Sequence, residues 1–88
     1  MQTKTWTVEL LLSEEDGTTR ARAVLHAAEG PGLVGHGVAR RNPHDTEVAE
    51  IGDEVAAARA LSGLAQALLG AAEVDITAVT NEQAFLPH

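Results

Sequence analysis

The chain has 88 residues, no cysteine, and six Lys and Arg against thirteen Asp and Glu, for a net charge of −7. This length fits one small domain that buries about 60 to 65% of its unfolded surface, and the lack of cysteine excludes a disulfide framework, thiol chemistry and Cys-ligated zinc. The charge opposes nucleic-acid binding at long range, and the apolar 44% is mostly Ala, Leu and Val, with Trp6 and Phe85 the only aromatics.

The N-terminal stretch MQTKTWTVEL lacks a basic region followed by an apolar run, and no stretch approaches the about 18 consecutive apolar residues of a membrane span. A soluble cytoplasmic protein with no membrane contact is expected. In TWTVELLLS, Trp6, Val8, Leu10 and Leu12 alternate with Thr5, Thr7, Glu9 and Leu11, the period of two of a first strand. Asp16-Gly17 is the preferred pair for a two-residue type I′ turn, since both positions must take positive φ. That turn sets Glu15 against Thr18, Ser13 against Arg20, Leu11 against Arg22, Glu9 against Val24 and Thr7 against His26. One face then collects Trp6, Val8, Leu10 and Leu12 with Ala21, Ala23, Leu25 and Ala27, and this apolar agreement across two strands supports the register.

Gly30-Pro31-Gly32 breaks the chain before a third strand, Leu33 to about Arg41, which ends at Asn42-Pro43. Gly35, Gly37 and Ala39 are placed inward, where small residues let a helix approach closely. Val34, His36, Val38 and Arg40 then face outward with Leu11, Arg22, Val24 and His26. A long helix follows, with Asp53 and Glu54 near its positive end, Val55, Ala58, Leu61, Ala65 and Leu68 at three- and four-residue spacing, and Gly70 as its C′ stop. The tail is ambiguous: Asp75 can cap a short helix through Val79, the preferred reading, or Val74 and Ile76 can extend an edge strand. The expected fold is therefore α+β, a three-stranded antiparallel meander with a long helix on one face and a short C-terminal helix. Its expected core is Trp6, Val8, Leu10, Leu25, Val55, Leu61 and Leu68.

Candidate chemistry is sparse. Gly35-His36-Gly37 is too short for a phosphate fingerprint and lies inside a strand, where glycine serves close packing. His36, His44 and Asp45 lack metal-ligand spacing, and the acidic loop from 45 to 54 lacks the ligand order of an EF-hand. Ser13 and Ser62 have no nucleophile-elbow context. No catalytic, cofactor-binding or metal residue is assigned, no cofactor is expected, and the protein is read as a non-enzyme. Arg59 is the odd charge on the helix, reaching the acidic loop or a partner. Arg20, Arg22, Arg40 and Arg41 are the candidate contacts for a partner or RNA, against the alternative that they solubilise the sheet and pair with Glu9. Leu11, Val24, Val34 and Val38 are the candidate dimer face, an apolar centre with a basic margin.

The strings TRARAVL, LVGHGVARRNPHD, EIGDEVAAARALSGLAQALL and DITAVT resemble an actinobacterial family of small double-stranded-RNA-binding-domain-like proteins of unassigned function. The resemblance runs from about Trp6 to Thr80 and implies a single small α+β domain of that type across 1–88, often dimeric. Mycobacterial members belong to a dormancy or hypoxia response and have been compared with ribosome hibernation promoting factors. No catalytic residue is established within the family, and the long helix here lacks the many basic residues such factors turn toward ribosomal RNA. The expected function is a non-enzymatic stress- or dormancy-associated binding protein acting on the translation machinery in the manner of a hibernation factor. The alternative is a homodimeric protein-interaction module with no nucleic-acid contact. A homodimer is expected, with a ribosome or RNA as the further partner and no DNA.

Overall fold

A computed structural model describes residues 1–28, 32–41 and 49–85, with side chains of the last segment from 50 to 80. The element order is β1 (Thr7–Glu15), β2 (Thr18–His26), β3 (Val34–Arg40) and α1 (Ala49–Phe85). The strands form an antiparallel meander in the order β1-β2-β3. Asp16 and Gly17 make the first turn with φ of +50° and +76°, the positive values that a type I′ turn needs to match strand twist. The resulting pairs, Glu15 with Thr18 through Thr7 with His26, are those expected from the turn. The breaker at 30–31, the Asn42-Pro43 turn, His44 and Asp45 lie outside the described residues.

Gly35, Gly37 and Ala39 point inward, as expected, and all three are buried. Gly35 backs onto the Ala60 carbonyl and the Leu64 backbone, and Gly37 onto the Ala56 carbonyl and the Ala60 amide. A Cβ on Gly35 would stand 2.8 Å from the Leu64 Cα. The helix therefore rests directly on the backbone of β3. The buried core is Ala21, Ala23, Leu25, Ala39, Ala56, Ala60 and Leu64, edged by Leu33, Val55 and Leu68. Five of these seven buried residues are alanine, which is what brings helix and sheet so close.

This seat corrects the expected core. A helix about 10 Å wide cannot cover three strands spaced about 4.8 Å apart once the glycines draw it over β3. The inner face of β1, and Trp6 just before it, are left open: Trp6 is 55% exposed, Val8 43%, Leu10 39% and Leu12 46%. Leu61 is 42% exposed, because the sheet-facing stripe runs through Ala56, Ala60 and Leu64, at four-residue steps, and Leu61 lies beside it. Leu25 is buried and Val55 and Leu68 are partly so.

The helix end is also corrected. Gly70 does not stop α1, which continues to Phe85 and takes in the segment expected as a separate short helix. A C′ glycine works through positive φ, and among the described glycines only Gly17 has it. In right-handed conformation Gly70 costs the helix only about 1 kcal/mol relative to Ala, which the Ala- and Leu-rich flanks tolerate. Every residue from Ala72 to Thr80 is exposed. The Glu50–Thr80 stretch is long and apolar enough, by length and composition, to cross a bilayer, although its first half is the part seated on the sheet.

Candidate functional site

Two surfaces of opposite character flank the sheet. On the outer face, β2 and β3 pair Arg22 with His36, Arg20 with Val38 and Thr18 with Arg40, while β1 sets Leu11 beside Arg22 and Ser13 beside Arg20. Arg20 and Arg22 stand two residues apart on one side of β2, about 7 Å. Arg40 is the diagonal neighbour of Arg20, about 7 to 8 Å away. The three arginines are exposed and form one oblique line across the sheet. Arg41 is not part of it: its amide donates to the Gly17 carbonyl at 2.9 Å, and its side chain lies along the hairpin turn near Gly17.

Leu11, Val24, Val34 and Val38 do share this outer face, as the register required. Leu11 and Val34 are exposed, whereas Val24 and Val38 are half-buried between charged neighbours. Glu9, expected as a partner of the arginines, instead approaches His26, with Nε2 to Oε1 at 4.0 Å and both side chains more than half exposed. Such an open pair contributes little to stability. A shallow depression of about 250 Å³ lies beside the arginines, lined by Leu11, Ser13, Arg20, Arg22 and His36. It is smaller than the enclosed clefts of about 300 to 1,000 Å³ that hold small molecules.

The described residues contain no group of three or more His, Asp or Glu side chains placed to hold a metal ion. A broader depression along Gly70, Glu73, Val74, Thr77 and Ala78 is lined by residues of α1 alone among the described residues. Arg59 reaches the sheet. Its Nη1 donates to the Val38 carbonyl at 2.7 Å, so the guanidinium occupies a backbone acceptor of the outermost strand, the kind of group that otherwise recruits another chain.

Sequence reasoning missed the inner side of β1 as a surface, although a signal was present. Four-residue spacing of Ala56, Ala60 and Leu64 matches the two-residue spacing of Gly35 and Gly37, and both point to a seat over β3 alone.

A family model described as Rv2632c-like matches residues 4–85. The Mycobacterium bovis protein "Uncharacterized protein Mb1767" is 49% identical over 81 residues, spanning 92% of this chain and 85% of the relative. "Uncharacterized protein Rv2632c" of Mycobacterium tuberculosis is 48% identical over 79 residues, 90% of this chain and 84% of the relative. The crystal structure of Rv2632c superposes with a TM-score of 0.84 at 44% identity, covering 99% of this chain and 98% of that one.

Proposed function

The chain belongs to the Rv2632c-like family, and from its surfaces we propose that it acts by binding, not catalysis, through the outer face of its sheet. The partner is anionic and RNA-bearing, met in the cytoplasm as part of the translation machinery, in a stress- or dormancy-associated role of the hibernation-factor kind. One observation carries the reading: Arg20, Arg22 and Arg40 stand in a line on an open sheet face of a chain whose net charge is −7. In a chain so acidic, six basic residues would be scattered if they only aided solubility. Three of them on one face give phosphate oxygens adjacent charge-assisted contacts while the rest of the surface repels. His36 beside Arg22 and Leu11 on its other flank add an edge against which a base can lie.

Such binding is local and ionic, so it weakens steeply as added salt lowers the entropy gained when counterions are released. Co-sedimentation with ribosomes at low and moderate salt tests it. The wild type is expected to pellet at low salt and to release as salt rises, and Arg22→Ala and Arg40→Ala each to weaken binding and flatten the salt slope. Binding that ignores both salt and these substitutions would show that the arginine face is not the contact. The second reading, a self-associating module without nucleic-acid contact, draws on the uncovered inner face of β1.

A further inference from the structure

Resting on the RNA reading, from which it takes the arginine line, we infer that the outer face takes a single, unpaired strand of RNA and that His36 is the platform on which one of its bases stacks. Three observations meet at this residue. Its backbone is supported from beneath, its ring stands on the open side of the sheet, and the cations run past it in one file.

The support comes from α1. Gly35 and Gly37 bring the backbone of β3 against Ala56, Ala60 and Leu64, and a Cβ added at Gly63 would stand 3.4 Å from the His36 amide nitrogen and 3.5 Å from its carbonyl oxygen. Glycine on both flanks of His36 and below it therefore seats that peptide directly on helix backbone. A ring carried by so close-packed a backbone keeps little freedom beyond its own rotamers, so a base lying on it pays little for ordering the protein.

On the open side the face is sorted by strand. Its two central rows are Ser13, Arg20 and Val38, then Leu11, Arg22 and His36. Glu9 and Glu15, the acidic residues of this face among the paired strand positions, both belong to β1. Phosphates are drawn to β2 and repelled from β1, which turns the bases toward β3, where His36 is exposed and Val38, two residues along, is half-buried. Bases stack on imidazole rings and on guanidinium planes. The Arg59 guanidinium, held on the Val38 carbonyl at 2.7 Å, adds a further positive charge at that rim.

The same geometry disfavours a duplex. Arg40, Arg20 and Arg22 form one file of about 14 Å, in two steps of about 7 Å, close to the separation of neighbouring phosphates along one strand. Duplex RNA is instead met by modules that span about 16 base pairs and contact two successive minor grooves. Here the outer strands are only about 10 Å apart, and α1 lies on the other face. Among the described residues no element projects from the outer face into a groove.

Fluorescence anisotropy tests the assignment with a labelled mixed-sequence RNA of about 20 nucleotides, free or annealed to its complement, so that the duplex covers the length a duplex reader needs. The single strand is expected to bind at least about tenfold more tightly than the duplex, with a salt slope near −2, about 0.7 for each of three phosphates. His36→Ala is expected to weaken the single-strand complex about fivefold or more with the salt slope unchanged, and His36→Phe to restore it, because stacking needs a ring. Circular dichroism checks that both variants are folded, and His36 is exposed. A duplex bound as tightly as the single strand, a His36→Ala chain that binds like the wild type, or a His36→Phe chain that binds no better than His36→Ala overturns the inference and leaves the arginine contact standing. Binding of neither RNA removes both.

Discussion

Gly35→Ala separates backbone propensity from packing, because the two predict opposite signs. In a strand interior, Ala is favoured over Gly by about 0.5 to 1 kcal/mol, so propensity alone predicts a more stable protein. At position 35 the new methyl meets the Ala60 carbonyl, the Leu64 amide and the Leu64 Cα. All three are backbone atoms of a helix, so no side chain can turn aside and α1 must lift off the sheet. Overpacking of this kind costs about 1 to 3 kcal/mol. A rigid neighbour on both sides places Gly35→Ala at the upper end, about 3 kcal/mol. A domain of this size holds about 4 to 13 kcal/mol in all. At roughly 4 to 8 °C per kcal/mol, the expected fall in Tm is on the order of 12 to 24 °C. The assay is thermal melting by circular dichroism at one fixed protein concentration. Gly70→Ala is the control: nothing lies within 4 Å of the added methyl, so helix propensity acts alone and the variant should gain about 1 kcal/mol. If Gly35→Ala melts at or above the wild-type temperature, the close seat of α1 on β3 is wrong.

Leu64, 3% exposed, is expected to cost about 2 to 5 kcal/mol on truncation to Ala. Leu61→Ala should change stability by no more than about 0.5 kcal/mol; urea denaturation at one fixed protein concentration compares the two, and equal losses would return Leu61 to the core. Gly17, at φ +76° with Arg41 Nε 3.4 Å from its would-be Cβ, is expected to lose about 1 to 2 kcal/mol as Ala and much less as Asn, which tolerates the left-handed region. Urea midpoints of the two variants check the turn.

What the sequence disclosed and what it hid have a common physical basis. The hairpin register was legible because Asp16-Gly17 admits one turn and a one-residue slip would have put Arg20 and Arg22 in the core. The inward glycines of β3 were legible for the same reason. The coverage of β1 was not, since alternation tells which side of a strand is apolar and not whether anything lies on it. Leu61 and Leu68 lie on an apolar stripe of α1 as real as that of Ala56, Ala60 and Leu64, and periodicity cannot rank two stripes on one helix. Size misled here: the smaller residues were the buried ones, because the nearest surface was glycine backbone. Gly70 misled in a similar way, since a glycine near the end of a pattern marks a stop only if its backbone turns left-handed. The arginine line was foreseen for Arg20, Arg22 and Arg40, but Arg41 follows the opposite parity and goes to the turn.

In β1, β2, β3 and α1 the order along the chain is also the order in space. Each element finds its main neighbour in the one synthesised just before it, so loop-closure costs are small and the meander and its helix are expected to form quickly. At 5 to 20 residues per second, translation of 88 residues takes on the order of 4 to 18 s. The hairpin can close while the helix is still being made, and the segment from Ala72 onward emerges after the sheet has taken its seat. A nascent chain thus completes its own fold with one flank of the first strand still wet.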